Sequence, residues 1–199
     1  MIVPKEKRII QKKDIMSLDV YTKYRKELRK KIFELKNNRR IPLGPYATCY
    51  FESFETMLAQ VQEMLYIEKG GDEQLKNELI AYNPLVPNGK ELTATLMFEI
   101  DNPVSRAAFF GKVGGIEEKV YLKVDDELIK AVLEEDVDRT SVERKASSVQ
   151  FIHFKFNDDQ IKKFKSGSSQ IELGIDHDEY SHTTKLNEVT INSLVSDFI

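Results

Sequence analysis

Residues 47–68 read ATCYFESFETMLAQVQEMLYIE, and this stretch decides the fold class because a short strand-like run passes into an amphipathic helix. Positions three and four apart place Met57, Val61 and Leu65 on one side of the helix, so we predict that this side packs in the core. Gln60 lies within the same apolar arc, and a buried amide without hydrogen-bond partners costs about 1–3 kcal/mol. We therefore predict that Gln60 is buried and clamps a neighbouring loop.

The segment before this stretch has the pattern of a second helix. Ser17 or Asp19 can cap it, and it ends near Asn37. Its predicted buried stripe consists of Tyr24, Leu28, Ile32 and Leu35. The dipeptides after it favour an extended or turning path up to Ala47.

The period of the apolar residues changes to two after residue 91, which is typical of strands. Predicted strands cover residues 92–100, 119–124, 128–133, 149–156 and 169–175, and helices cover residues 72–82, 103–110, a short segment after Asn157, and 191–198. Helices concentrate in the first half and strands in the second. We therefore predict a single α+β domain over residues 1–199, with a mostly antiparallel sheet from the C-terminal half covered by amphipathic helices from the N-terminal half.

Composition predicts a soluble globular protein, because 41% of the residues are hydrophobic and 32% are charged. The sequence contains neither an apolar run long enough to span a bilayer nor the apolar region of a signal peptide, so we expect a cytoplasmic protein. The single cysteine, Cys49, lies in the strand-like run, so we interpret it as a buried small hydrophobic residue and not as a nucleophile.

Charge is unevenly distributed along the chain. Residues 1–40 form a basic N-terminal arm and helix with 14 Lys and Arg against 5 Asp and Glu, whereas the whole chain has a net charge of −3. Such an arm can bind nucleic acid or an acidic partner. The alternative is that the arm packs its apolar stripe on the acidic body and keeps its lysines in water.

Three glutamates near the central helix, Glu52, Glu55 and Glu63, are candidates for metal ligands or for an acid/base pair. Glu55 and Glu63 lie about 80° apart on the helix, and no Glu-x-x-His pair accompanies them as it does in a di-iron bundle. We therefore favour a solvated or structurally bonded role for these carboxylates.

The densest chemical cluster is residues 176–182, DHDEYSH, which we place in a loop after a strand. His177 and His182 with one carboxylate would suit a zinc or iron ion. The alternative is a turn in which Asp176 bonds the backbone. His153, in a predicted strand, fits a half-buried structural histidine.

A second acidic stretch, with Glu134, Glu135, Asp136 and Asp138, lacks the glycine and the glutamate that a calcium loop needs, so we predict a solvated acidic loop.

The blocks YRKELRKKIFELKNNRRIPLGP, FESFETMLAQVQEML, AYNPLVPNGKELTATLMFEI and GIDHDEY, in this order and spacing, resemble the bacterial domain-of-unknown-function family numbered 3501. The resemblance covers nearly the whole chain. It implies recurrent positions at Glu52, Glu55, Gln60, Gln62, Glu63, Asn83, Pro84, Asp176, His177 and Tyr180, with Asp178 where a proline is expected. It also implies genes beside those of rubrerythrin-like and iron–sulfur oxidoreductases.

Three hypotheses follow. The first is an accessory or binding protein that docks onto an oxidoreductase or rubrerythrin-like partner, with Glu52, Glu55, Gln60, Glu63, Asp176, His177 and Tyr180 as candidate binding residues. The second is a metalloprotein or metalloenzyme with zinc or iron on His177, His182 and a carboxylate. The third is nucleic-acid binding by the basic arm.

Overall fold

The structure, a computed structural model, describes residues 8–134 and 148–199 as an α+β fold, which confirms the predicted class. The helices in these residues are α1 Leu18–Asn37, α2 Phe54–Glu68, α3 Gly71–Tyr82, α4 Pro103–Phe110, α5 Asp158–Lys165 and α6 Glu188–Val195. The strands are β1 Arg40–Leu43, β2 Ala47–Phe51, β3 Glu91–Phe98, β4 Val120–Val124, β5 Glu127–Leu133, β6 Val149–Lys155, β7 Ile171–His177 and β8 Tyr180–Lys185. The first seven residues of the basic arm, and Glu135, Asp136 and Asp138 of the predicted acidic loop, lie outside the described residues.

The described strands form one eight-stranded antiparallel sheet in the order β1-β2-β3-β6-β5-β4-β7-β8. The sheet curls until its edge strands, β1 and β8, lie side by side. Thr184 of β8 donates a hydrogen bond from its hydroxyl to the carbonyl of Pro42 in β1, at 2.6 Å. Pro42 lacks an N–H, so its position on an edge strand costs no ladder bond.

The main core lies on the inner face of the curled sheet. Alternate residues of the strands point into it, as Leu92, Leu96, Ile152 and Phe154 do, and each of these is fully buried. Phe164 and Phe198 from the α5 and α6 region pack against Phe156, while Phe109 of α4 packs against Phe98. The helices of the C-terminal half therefore complete this core.

The helical layer on the outer face is formed mainly by α2 and α3. Met57, Val61 and Leu65 of α2 are buried in a second cluster with Leu75 and Leu85, as their spacing predicts. The prediction for Gln60 is wrong, because Gln60 is only partly buried and the buried amide of α2 is Gln62, which is 4% exposed.

Helix α1 packs along α2 but buries few of its side chains. Tyr21 is its only fully buried residue, Leu28, Ile32 and Leu35 are half-buried, and Tyr24 is 46% exposed. The predicted burial of Tyr24 is therefore wrong, because the stripe that faces α2 passes through Tyr21, four residues before Arg25.

Two strands were missed from the sequence. Residues Arg40–Leu43 form β1 instead of an irregular connection, and the predicted loop at residues 176–182 is a tight hairpin between β7 and β8 with Asp178 and Glu179 as its turn. Among residues 8–134 and 148–199, no helix combines the length and the apolar run that crossing a membrane requires.

Candidate functional site

The predicted site residues lie in three separate places. Glu52 and Glu55 lie at the junction of β2 and α2, and Gln60 and Glu63 lie on α2. The others, Asp176, His177, Tyr180 and His182, lie in the β7–β8 hairpin. Each place has its own hydrogen bonds.

The junction of β2 and α2 holds Glu52 in a bonded, buried position. Its carboxylate, in a residue that is 5% exposed, accepts hydrogen bonds from the Thr56 hydroxyl at 2.6 Å and from the Thr95 hydroxyl at 2.8 Å. Ser53 caps α2, and its hydroxyl donates to Glu55 at 3.0 Å. The bonds of Glu52 thus tie the start of α2 to β3, and Glu55 bonds the residue that caps α2.

Beneath this junction lies a buried ion pair that the sequence reasoning missed. The Arg39 guanidinium, 1% exposed, pairs with the Asp197 carboxylate and also donates to the carbonyls of Phe51, Glu52 and Ser193. Burial raises the pKa of Asp197 to about 6, although the charge and hydrogen bond of Arg39 act in the opposite direction. The pair links the segment after α1 to the C-terminal segment.

The contact between α1 and α2 centres on Glu63. Its carboxylate accepts hydrogen bonds from the Tyr21 hydroxyl at 2.6 Å and from Nε and Nη2 of Arg25 at 3.0 and 2.9 Å. The bonds from Arg25 hold the pKa of Glu63 below its ordinary value. Arg29 lies 3.9 Å from the same carboxylate. Cations of the basic arm are therefore paired with an acid of the body, which supports the reading that the arm packs on it.

Two side-chain amides hold the chain segment before α1. Gln62 accepts from the backbone N–H of Met16 at 2.9 Å and donates to its carbonyl at 3.2 Å. Asn83 makes the same pair of bonds with Ile10, at 2.7 and 3.1 Å. Gln60, the predicted clamp, has one longer bond, at 3.4 Å to the Tyr82 hydroxyl.

Tyr180 closes the seam between the two edge strands. Its hydroxyl donates to the carbonyl of Leu43 at 2.5 Å and accepts from the backbone N–H groups of Tyr46 and Ala47 at 3.1 and 3.0 Å. Burial raises its pKa. Its ring, 5% exposed, stacks on Tyr46 and meets Phe98 and Phe109 edge to face. Tyr180 is thus a joint of the fold.

The two imidazoles of the hairpin share a sheet face with Tyr180. The register pairs His177 with Tyr180 and His182 with Ile175, whereas Asp176 pairs with Ser181 on the opposite face. The Nδ1 of His177 accepts from the backbone N–H of Glu179 at 3.1 Å. His182 lies against Gly44, where an added Cβ would lie 2.3 Å from the imidazole and where φ is +71°.

Within residues 8–134 and 148–199, the His, Cys, Asp and Glu side chains form no group of three or more with an arrangement suited to a metal ion. The hydrogen bonds of Glu52 come from α2 and β3, a bond of Glu55 comes from Ser53, and those of Glu63 come from α1. Cys49 is fully buried, and burial raises the pKa of its thiol, as expected for a small core residue.

A buried row of ionisable groups on the outer face was also missed. His153 lies between Glu91 and Glu134 and is 7% exposed, so it is more deeply buried than the sequence predicts. Glu91 and His153 are 62 positions apart in the chain. Only the register of β3 with β6 brings them together, and no short motif carries that information.

In the described residues, most of the predicted site residues form hydrogen bonds or ion pairs within the protein. Carboxylates, amides and the Tyr180 phenol join elements that are distant in sequence, so many of these residues hold the fold together.

Comparisons with known proteins agree with this fold. The family model described as "Protein of unknown function (DUF3501)" matches residues 9–198. A comparison with curated proteins gives no match. A crystal structure of a novel protein of unknown function from Burkholderia pseudomallei K96243 is similar, with a TM-score of 0.89 and 33% sequence identity, over 96% of this chain and 99% of that chain.

Proposed function

Because this chain belongs to the DUF3501 family of proteins of unknown function, we propose a role from its own surface: it is a cytoplasmic accessory protein that docks onto an oxidoreductase of the rubrerythrin-like type. The contact surface is the exposed side of α1. The observation that carries this proposal is that α1, which is 20 residues long, fully buries only Tyr21 and leaves several large apolar side chains in solvent.

Three exposed apolar residues lie at the start of α1: Met16 just before the helix, and Val20 and Tyr24, which are one turn apart and on nearly the same side of the helix. Their exposed fractions are 40%, 46% and 46%. We call these three residues the α1 stripe. Apolar side chains grouped in this way are typical of protein–protein contact surfaces.

The charges beside the α1 stripe favour an acidic partner. Helix α1 contains 7 Lys and Arg against 3 Asp and Glu, and Lys23, the neighbour of Tyr24, places its ammonium group 5.3 Å from the centre of that ring. Opposite charge on a partner would speed association and fix its orientation. The oxidoreductase class is the partner that the family resemblance implies, and it is the first to be tested.

The test is a binding titration between the purified protein and a rubrerythrin-like or iron–sulfur oxidoreductase encoded beside its gene, followed by calorimetry. The double variant Val20→Glu with Tyr24→Glu should raise the Kd by about tenfold or more, because it places two carboxylates within the contact. Val189→Glu on α6 is the matched control, since Val189 is 60% exposed and lies on another helix. Absence of binding by the wild type, or an unchanged Kd in the double variant, would overturn the proposal.

A metal-binding role is the second candidate, favoured by the shared sheet face of His177 and His182. Two imidazoles suit zinc or iron but leave further coordination positions to other ligands. If the role is correct, freshly purified protein contains close to one equivalent of zinc or iron by elemental analysis, and His177→Ala with His182→Ala removes it. Metal content below about a tenth of an equivalent, or content unchanged in the double variant, excludes a tight site.

A further inference from the structure

A buried carboxylate–imidazole–carboxylate row crosses three neighbouring strands on the outer face of the sheet. Nδ1 of His153 in β6 lies 3.2 Å from Oε2 of Glu91 in β3, and Nε2 lies 2.5 Å from Oε2 of Glu134, which follows β5. The first contact has hydrogen-bond geometry, and the second is an ion-pair contact without it. His153 and Glu91 are 7% and 6% exposed, so water solvates them poorly.

The helical layer meets this face at the ring of Phe151 and at the carbonyl of Leu85, which accepts from the Thr93 hydroxyl at 2.6 Å, and these groups are neutral. Lys155, which pairs in register with Glu91, and Lys130 of β5 lie on the same side of the strands, and both are exposed. The Glu52 carboxylate also lies on this side, bonded to the Thr95 hydroxyl. Among residues 8–134 and 148–199, Glu91 and Glu134 are the charges that act most on His153.

An imidazolium ion has two N–H donors and can serve both carboxylates, whereas a neutral imidazole has only one. After loss of the proton, one carboxylate faces a nitrogen lone pair in a poorly solvated place, which is unfavourable. The Glu91 carboxylate is buried, whereas the Glu134 side chain is 31% exposed. Glu134 is therefore the carboxylate that can rotate into solvent.

We propose that Glu91, His153 and Glu134 form a pH-sensitive clasp, which holds the end of β5 against β6 while the imidazole is protonated and releases Glu134 when it is not. Release of the carboxylate removes the side-chain contact beside the backbone hydrogen bond from the Glu134 N–H to the Phe151 carbonyl, at 3.0 Å. The clasp is independent of the docking surface on α1.

The pKa of His153 is shifted in the direction that the clasp requires. Burial lowers this pKa, but the hydrogen bond with Glu91 and the charges of Glu91 and Glu134 raise it by more, so it lies above its ordinary value of 6.5. The folded pKa is therefore raised relative to the unfolded chain. The clasp is complete below the unfolded pKa and is lost as the pH rises through the folded pKa.

The test is amide hydrogen exchange at Glu134 together with the titration of the His153 imidazole, both by NMR on the full-length protein. Between about pH 5.5 and about pH 8.5, the protection factor of the Glu134 amide should fall by about tenfold or more, and the fall should follow the imidazole titration. In His153→Gln, whose side chain does not titrate in this range, the protection factor should not change with pH. A flat profile in the wild type, or the same fall in His153→Gln, would overturn the proposal.

A second variant keeps the test decisive if His153→Gln does not fold. Glu134→Gln retains His153 and Glu91 but removes one negative charge, so the imidazole should titrate at a lower pH and the fall in protection should disappear. An unchanged titration midpoint in Glu134→Gln would show that Glu134 does not act on the imidazole and would refute the clasp.

Discussion

At the residue scale, Gln62 and Asn83 hold the N-terminal segment by the same device. Each amide accepts from the N–H and donates to the carbonyl of a single residue, Met16 for Gln62 and Ile10 for Asn83. An amide side chain in this position replaces the backbone partner that a strand would supply. These amides therefore fix the segment before α1 to the helical layer, although neither Ile10 nor Met16 lies in a helix or a strand.

We predict that Gln62→Met lowers the free energy of unfolding by about 1–2 kcal/mol, because it leaves both backbone groups of Met16 without their partner while keeping the volume of the side chain. Urea denaturation monitored by circular dichroism measures the change. Gln60→Met is the matched control on the same helix, and we expect its effect to stay within about 0.5 kcal/mol because Gln60 makes only one long hydrogen bond. Equal losses in the two variants would contradict the clamp.

The sequence pattern of α2 predicts the wrong glutamine as the buried amide, Gln60 in place of Gln62. The apolar arc of α2 places Gln60 inside the core side, and Gln62 falls on the side expected to face solvent. The helical period reports the direction of a side chain from its own axis but not which distant segment covers that direction. Here residues before α1 cover it, and they bury Gln62 to 4% exposure. The same limit hid the pairing of Arg39 with Asp197.

At the element scale, the inner strands follow from local pattern and the edge strands do not. In β3, Leu92, Ala94, Leu96 and Phe98 alternate with other residues, and all four are buried as predicted. In β8 the sequence YSHTTK is mostly polar, because alternate side chains face solvent and its inner positions hold Tyr180, His182 and Thr184. β1 contains a proline, which argues against a strand unless the strand is at an edge. Knowledge of the sheet order is needed to apply that exception.

Helix α1 was predicted with nearly correct ends but with an error in its buried face. Its two ends follow from Ser17 and Asn37, which are local signals. The apolar spacing predicts Tyr24 in the core because it lies four residues before Leu28, yet the side toward α2 passes through Tyr21 and Arg25, which bond Glu63. A polar contact therefore sets the rotation of the helix, and apolar periodicity does not report it.

At the scale of the whole molecule, closure of the sheet depends on side chains. The edge strands β1 and β8 meet through the Thr184 hydroxyl and through the three hydrogen bonds of the Tyr180 hydroxyl. This hydroxyl uses its donor on Leu43 and accepts from Tyr46 and Ala47, so all its hydrogen-bonding capacity is occupied. The seam is thereby tied to the turn between β1 and β2.

Tyr180→Phe should therefore destabilise the whole fold, although it removes only one oxygen atom. The change leaves two backbone N–H groups and one carbonyl without their partner at a buried seam, and we expect a loss of about 2–4 kcal/mol in the free energy of unfolding. Tyr46→Phe removes the same atom from the ring stacked on Tyr180, but Tyr46 is 42% exposed, so its loss should stay within about 0.5 kcal/mol. Urea denaturation of both variants, with hydrogen exchange at Ala47, measures the difference. Because the Ala47 N–H donates to the Tyr180 hydroxyl, faster exchange at Ala47 in Tyr180→Phe but not in Tyr46→Phe would locate the damage at the seam, even though Ala47 also pairs with Phe98 in β3. Equal stability of the two variants would mean that the sheet closes without the Tyr180 hydroxyl.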